Sequence, residues 1–255
     1  MVRSEGAAEG LSDAEVERYS RQLLLPEMGE AAQLRLRRAS VAVVGCGALG
    51  SAAAPYLVGA GVGHVLLLDP DFVALDNLHR QVQFSTADIG ASKAGRLADR
   101  LRALNELVAV DPLPARADPS ALSQSLQGAE LILECTDDPA TKFALNDWAM
   151  GTGRQLVIAG VTGLRGQVVQ VGAGGPCYRC LFPATPATAA DCRTAGILGP
   201  VAGVVGAMQA LLALTWLAGI GPASRAGKLW DLDAGAMRWR EIHFPRDPNC
   251  SSHRR

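Results

Sequence analysis

Short apolar runs alternate with polar and glycine-containing stretches along most of this chain. The clearest runs are 41–44, 64–68, 107–111, 130–134 and 155–161. Their length and their content of Val, Ile and Leu are typical of buried strands. Longer segments of helical character lie between several of these runs. This alternation predicts an α/β fold in which a mostly parallel sheet is covered by helices on both faces.

The two ends of the chain depart from this alternation. Ser12 and Glu15 have the spacing of a capping box at the start of a helix, and a second helix follows Pro26 and ends near Arg38. Three later runs predict antiparallel strands, at 167–171, 228–232 and 237–242. We therefore expect an N-terminal helical segment before the sheet and C-terminal antiparallel strands after it.

A glycine motif follows the first predicted strand. Gly45, Gly47 and Gly50 form G-x-G-x-x-G before an Ala-rich helix over 51–59. Residues without a Cβ let backbone N–H groups approach a phosphate, and the positive end of the helix favours an anion. Asp69 ends the next strand, 24 residues after Gly45, close to the usual place of an acidic ribose ligand. These features predict a Rossmann-like nucleotide site, and a glycine turn that binds nothing is the alternative.

Composition narrows the class of protein. The formal net charge of the 255 residues is −1, which argues against a strong nucleic-acid binder. The N-terminus lacks an apolar secretory segment, so the six cysteines indicate cytosolic thiols, metal ligands or a nucleophile before they indicate disulfides. We expect a single cytoplasmic domain that needs no disulfide.

One segment is apolar enough to suggest a membrane helix. Residues 194–223 carry no charge and 197–220 is mostly apolar, which by length alone would span a bilayer. Pro200, Gln209 and Thr215 dilute the apolarity, and a helix that is apolar all round is equally typical of a core or a subunit interface. We predict a buried helix and no membrane.

Four charged residues lie in loops or helix starts that can converge on the glycine turn: Asp69, Arg80, Lys93 and Asp137. Cations neutralise charge on a phosphoryl centre and a carboxylate holds a metal, so the set suits ATP with Mg²⁺ better than a nicotinamide. Lys93 opposes the dipole of its predicted helix, which suggests a nearby anion. A Rossmann oxidoreductase is the alternative, and each residue alone is also compatible with a surface charge.

Six short motifs carry a resemblance to a known family. They are R-Y-S-R-Q at 18–22, G-C-G-A-L-G at 45–50, D-N-L-H-R-Q at 76–81, E-C-T-D at 134–137, C-Y-R-C at 177–180 and C-R-T-A-G at 192–196. The chain resembles the ThiF/MoeB/HesA group, relatives of the ubiquitin-activating enzymes. The resemblance implies that ATP is used to adenylate the C-terminal glycine of a small ubiquitin-like sulfur-carrier protein, with release of pyrophosphate. The resemblance also implies that residues 1–255 form a single adenylation domain. Residues 11–175 would bind the nucleotide, and residues 176–255 would contain the zinc site, the crossover loop and the carrier-binding surface.

The resemblance also implies roles for single residues of the nucleotide site. Asp69 would bind the ribose, and Asn77 belongs to the same site. Arg80 and Lys93 would contact the phosphates, and Asp137 would hold Mg²⁺. No catalytic base is required, because the attacking carboxylate is already ionised at neutral pH.

Arg21 would act on a second copy of the chain. By resemblance it reaches the phosphates in the neighbouring subunit's site, which implies a homodimer. The apolar segment 197–220 would then be partly buried between the subunits.

Residues near the C-terminus have the spacing of metal ligands. Cys177 and Cys180 form C-x-x-C, and Cys250 and His253 form C-x-x-H where the family usually has a second C-x-x-C. A Cys₃His site for structural Zn²⁺ is the prediction. A C-x-x-C redox pair and a frayed tail are the alternatives.

Cys192 is the candidate nucleophile. It follows a proline-interrupted segment and precedes a predicted helix near Thr194, where the helix terminus and Arg193 would lower the thiol pKa. Resemblance to the ThiF branch implies a persulfide that links this thiol to the activated carrier. A cysteine without a catalytic role would instead fit the MoeB branch. Cys46 and Cys135 lie in apolar contexts and are predicted to be core residues.

The biosynthetic pathway that the resemblance implies depends on the branch of the family to which the chain is most similar. The segment 191–200 resembles ThiF most closely, which implies thiamin thiazole biosynthesis. The alternative is MoeB-like activation of the molybdopterin synthase small subunit or of another carrier ending in Gly-Gly. A separate sulfur donor, such as a cysteine desulfurase or a rhodanese, would be required. A non-catalytic carrier-binding protein is the remaining alternative.

Overall fold

The computed structural model describes residues 10–116, 124–172, 174–183, 196–221 and 226–253. The strands are β1 (Ser40–Val44), β2 (His64–Leu68), β3 (Ala109–Leu113), β4 (Leu131–Glu134), β5 (Gln155–Thr162), β6 (Arg165–Val171), β7 (Lys228–Asp233) and β8 (Arg238–His243). The helices are α1 (Asp13–Leu23), α2 (Gly29–Arg38), α3 (Ala48–Gly59), α4 (Lys93–Leu104), α5 (Pro139–Thr152), α6 (Tyr178–Leu181) and α7 (Gly199–Leu217). Short 3₁₀ turns occur at Leu75–Asn77, Thr86–Asp88 and Ser251–His253.

The strands form one eight-stranded sheet in the order β3-β2-β1-β4-β5-β6-β7-β8. Strands β1 to β5 pair in parallel, whereas β6, β7 and β8 pair antiparallel to their neighbours. The α/β fold with C-terminal antiparallel strands is therefore confirmed. The strand order reverses between β1 and β4, and ligands of such sheets bind at the carboxyl ends of the strands on either side of that point.

Each face of the sheet carries its own apolar core. Successive residues of β1 point to opposite faces, so Val41 and Val43 pack with α2, α3, α4 and α7, while Ala42 and Val44 pack with α5. A strand that is buried on both faces must be apolar at every position. This requirement explains why residues 41–44 of β1 form a continuous apolar run in the sequence.

The N-terminal segment follows its capping signal. Ser12 Oγ accepts a hydrogen bond from Glu15 N at 3.3 Å, and Glu15 Oε2 accepts one from Ser12 N at 2.8 Å. The predicted capping box is therefore confirmed, and α1 begins at Asp13.

Several predicted boundaries differ from the structure, and two of the differences have a clear local cause. The helix after the glycine motif begins at Ala48 instead of Ser51, because the turn itself supplies the first helical residues. The strand predicted at 107–111 is shifted to β3, since Asn105 Oδ1 accepts a hydrogen bond from Leu107 N at 3.2 Å and holds this stretch in a turn.

The apolar segment forms α7. It is the one helix of the described residues that is long and apolar enough to cross a membrane by composition. It packs against α3, β5 and β6, and the buried Gln209 side chain donates to Glu134 O at 3.0 Å and to Val157 O at 3.2 Å. Half of the helix is buried in this way, so the predicted burial is confirmed in part, while Val204 and Leu211 are 48% and 55% exposed.

Candidate nucleotide site and metal centre

The glycine turn lies at the carboxyl end of β1, next to the point where the strand order reverses. Gly45 has a φ of +94°, and a Cβ there would lie 2.9 Å from the carbonyl carbon of Cys135. A Cβ on Gly50 would lie 1.9 Å from Gly45 O. Packing alone therefore requires glycine at these two positions.

Gly47 is under no such constraint. A Cβ there would meet only Gln81 Nε2, at an ordinary distance of 3.7 Å. Packing therefore gives no reason for glycine at this position, and the turn has room for a group to approach the start of α3. Gln81 itself is 4% exposed, and its Oε1 has no hydrogen-bond partner among the described residues. Buried polar atoms normally form hydrogen bonds, so this amide oxygen is available to accept one from a bound molecule.

The sequence alone predicted no binding or catalytic role for Gln81. The available signal was its place directly after Arg80 in the D-N-L-H-R-Q motif. The structure adds the two facts that matter, which are its burial and its position beside Gly47.

Asp69 connects β2 to the glycine turn. Its Oδ2 accepts a hydrogen bond from Cys46 N at 2.6 Å, and its Oδ1 accepts one from Asp71 N at 2.8 Å. Burial raises the pKa of Asp69, and these hydrogen bonds partly oppose that effect. The residue predicted to bind ribose is therefore in place at the site, and it also holds the shape of the turn.

Lys93 begins α4 and is buried. Its Nζ lies 3.2 Å from Asp71 Oδ2, so the anion expected near this helix start includes a carboxylate of the protein. Because Asp71 N also donates to Asp69, a continuous series of contacts runs from Lys93 to the glycine turn.

The loop between β2 and α4 carries Asn77 and Arg80. Asn77 is buried, and its Nδ2 donates to Asp76 Oδ1 at 3.1 Å. Arg80 is half-buried and donates to Asp76 O at 2.7 Å, with the His79 ring nitrogen 2.9 Å away. The guanidinium thus contacts its own loop in this structure.

The turn between β4 and α5 presents Asp137 to solvent. On one side Thr136 N donates to Glu134 Oε1 at 2.9 Å, and on the other Asp138 caps α5 by accepting from Ala140 N at 3.1 Å. Asp137 itself is exposed and forms no hydrogen bond or ion pair with the residues the structure describes. A free carboxylate on a fixed turn suits a bound cation.

A buried ion pair that sequence analysis missed lies behind this turn. Glu134 is fully buried, and Lys142 Nζ contacts its Oε2 as well as Thr136 O at 2.8 Å and Ala159 O at 2.6 Å. Burial raises the pKa of Glu134, and the charge of Lys142 opposes that effect. The pair fixes the base of the Asp137 turn.

One predicted site residue lies away from the glycine turn, and another is not among the described residues. Arg21 is exposed on α1, which packs against α2, and within the described ranges no contact joins it to the glycine turn. Cys192 lies outside the described residues. Cys46 and Cys135 are buried as predicted, and burial raises the pKa of both thiols.

Four potential metal ligands converge near the C-terminus. Cys177 Sγ lies 3.8 Å from Cys180 Sγ and 3.6 Å from Cys250 Sγ, and together with a His253 ring nitrogen the ligand atoms lie within 4.8 Å of one another. Zinc–sulfur bonds of about 2.3 Å in a tetrahedron separate two sulfurs by about 3.8 Å. His253 Nε2 is also buried without a hydrogen-bond partner in the described part of the chain. The set therefore fits Zn²⁺.

The sheet order and the glycine turn define an α/β protein of the Rossmann-like type, with the glycine turn at the β1/β4 switch point. The ThiF family model matches residues 19–252, and the chain belongs to the ThiF family.

Several characterised proteins are similar to this chain. A sulfur carrier protein adenylyltransferase of Thermus thermophilus is 43% identical over 175 residues, which cover 66% of this chain and 65% of that protein. The adenylyltransferase and sulfurtransferase MOCS3 of Mus musculus is 47% identical over 175 residues, which cover 68% of this chain and 38% of that protein. The chain thus spans less than two thirds of the length of these relatives.

Solved structures share the fold. The E. coli protein MccB has a TM-score of 0.83 with 22% identity, and the match covers 92% of this chain and 74% of that one. At this level of identity the likeness concerns the fold alone.

Proposed function

We propose that this protein uses ATP to adenylate the C-terminal carboxylate of a small ubiquitin-like sulfur-carrier protein ending in Gly-Gly. The observation that carries the proposal is the open glycine turn at Gly47, where an added Cβ would meet only the Gln81 amide nitrogen at an ordinary distance of 3.7 Å. Membership of the ThiF family and the similarity to sulfur carrier protein adenylyltransferases support it.

In the proposed reaction, a carboxylate oxygen of the carrier attacks the α-phosphorus of ATP. A new P–O bond forms while the bond from the α-phosphorus to the bridging oxygen breaks, and pyrophosphate leaves with that electron pair. The chain's own residues orient the reactants and neutralise charge. Arg80 would exchange its contact with Asp76 O for a phosphate oxygen. Mg²⁺ held by Asp137 would supply further neutralisation of the phosphates.

The test is exchange of labelled pyrophosphate into ATP with MgATP and a purified carrier. Exchange should require the carrier and should vanish with a carrier that lacks the terminal Gly-Gly. Absence of exchange with thiamin-type and molybdopterin-type carriers alike would refute the proposal. Binding of NAD in place of ATP would instead restore the oxidoreductase alternative.

We further propose that Cys192, loaded as a persulfide by the separate sulfur donor, attacks the acyl-adenylate of a ThiS-like carrier, as expected for a thiamin-thiazole enzyme. A bond forms between the carrier's carbonyl carbon and the outer sulfur while AMP leaves with the electron pair of the broken C–O bond. In the Cys192→Ser variant, exchange should persist because adenylation does not use the thiol. A reducible enzyme–carrier conjugate, detected by non-reducing electrophoresis and mass spectrometry, should disappear. Conjugate formation at the wild-type level would favour the MoeB-like alternative.

The exposed position of Arg21 supports a site completed by a second copy of the chain. We expect Arg21→Ala and Asp137→Ala proteins to be weakly active separately. After subunit exchange, mixed dimers should regain part of the activity, because one of their two sites has both residues intact. Exchange without any recovery, verified by a mass-tagged subunit, would refute action of Arg21 across the interface.

The metal centre is proposed to hold one structural Zn²⁺. We expect His253→Ala to weaken zinc retention, because only three of the four ligand atoms remain. Zinc per chain is measured by atomic emission after dialysis against a chelator. His243→Ala, on the exposed strand β8, is the matched control. Well under one zinc in the wild-type protein would refute the centre.

A further inference from the structure

Adjacent residues of α5 contact both segments that supply the metal ligands. Asn146 is fully buried, and its Oδ1 accepts from Tyr178 N at 2.8 Å while its Nδ2 donates to Ser252 Oγ at 3.3 Å. Asp147 accepts from Arg179 Nε and Nη2, each at 2.8 Å, and from Ser252 Oγ at 2.6 Å. The two side chains therefore fasten C-Y-R-C and C-S-S-H to the same helix turn.

Ring contacts strengthen the attachment of the first segment. The Arg179 guanidinium carbon lies 4.7 Å from the centroid of the Phe143 ring, and the rings of Phe143 and Tyr178 have centroids 5.2 Å apart. Phe143 also belongs to α5. Since Cys180 and Cys250 are 70 residues apart in the chain, a shared support on α5 reduces the freedom of both ligand segments.

The same helix supports the nucleotide site at its other end. Asp137 directly precedes the Asp138 cap of α5, and Lys142 of α5 holds Glu134 and Thr136 beneath that turn. Asn146 lies seven positions after Pro139, the first residue of α5, which corresponds to a rise of about 10 Å along the helix. A displacement of the helix at the metal centre must therefore displace the turn that bears Asp137.

We propose that Asn146 and Asp147 form a clamp that couples the metal centre to the Asp137 turn. Asp147, paired with Arg179, holds the ligand segments together, and α5 transmits their position to the nucleotide site. Both are positioning residues, since neither is a metal ligand in the Cys₃His set. The part of the proposal that concerns Asp137 rests on the proposed adenylation, whereas the part that concerns the metal rests only on the proposed zinc centre.

The test uses the full chain loaded with zinc and the Asp147→Asn variant, which keeps the side-chain shape but loses its charge. Zinc release to a chromogenic chelator should be about 10- to 100-fold faster than in wild type, as is typical when a support of a ligand is removed. The KM for MgATP in the exchange assay should rise about 2- to 30-fold. Asp147→Glu, which retains the charge for Arg179, should recover part of both effects.

Asp231→Asn is the matched control, because it removes the comparable Asp231–Arg240 pair on β7 and β8. Its zinc release and its KM should equal those of wild type. Release from Asp147→Asn at the control rate would overturn the clamp. Faster release with an unchanged KM would overturn the coupling to Asp137. If wild type lacks exchange activity, the proposed function fails, and the release rates still decide whether the clamp exists.

Discussion

Replacement of Asp137 by alanine is expected to lower the rate of carrier-dependent pyrophosphate exchange by about 10²- to 10³-fold. The carboxylate is exposed, lacks a partner among the described residues and lies on a turn that is fixed on both sides. Because the turn is held by its neighbours, removal of this one side chain should remove the proposed Mg²⁺ ligand without unfolding the site. The loss should appear as a lower kcat and as a higher KM for MgATP, because the metal that Asp137 would hold contributes to nucleotide binding as well as to the transition state.

Asp99→Asn provides the control for this experiment. Asp99 is an exposed acid on α4 that pairs with Arg96 and Arg102, so its loss should leave exchange unchanged. Arg80→Ala should resemble Asp137→Ala in its effect. Wild-type exchange rates in both site variants would show that these residues have been assigned wrongly.

Replacement of Lys142 by methionine is expected to lower the free energy of unfolding by about 3–5 kcal/mol at neutral pH. Methionine keeps most of the volume but leaves the buried Glu134 carboxylate without its counter-charge. Urea unfolding followed by circular dichroism measures the loss. The double variant Glu134→Gln/Lys142→Met removes the unpaired charge and should regain most of the stability.

The pH dependence of this loss follows from the direction of the Glu134 pKa shift. Burial raises the pKa of Glu134 in the folded protein, and the loss of Lys142 removes an influence that lowers it. The folded state therefore retains a proton that the unfolded state releases above its pKa of about 4.3. The stability deficit of Lys142→Met should be smaller at pH 5 than at pH 8. A deficit that is independent of pH, or that survives in the double variant, would contradict this account.

Much of the fold could be predicted because its signals are local. The run 41–44 lies within β1 as predicted, since a strand that is buried on both faces is apolar along its length. The glycine spacing located the turn, and Asp69 followed at the end of the next strand. The anion beside Lys93 was also predictable, because a cation at a helix start opposes the dipole.

The rest depends on contacts between distant segments. Nothing in the local sequence distinguishes Glu134 from the end of an exposed strand until Lys142 of α5 is placed against it. Gln81 can be recognised as a candidate site residue only from its burial beside Gly47. The support of the ligand segments by Asn146 and Asp147 arises from tertiary packing in the same way.

The two outer strands of the described sheet carry residues that oppose the addition of another strand. In β3, Pro112 has no N–H to offer an added strand, and β8 carries the charged side chains of Arg238, Arg240 and Glu241. Proline and charge at a sheet edge are the usual protection against strand addition and aggregation. Growth of the sheet from one molecule into the next is therefore disfavoured, and a second copy is expected to meet helix surfaces such as the one that exposes Val204 and Leu211.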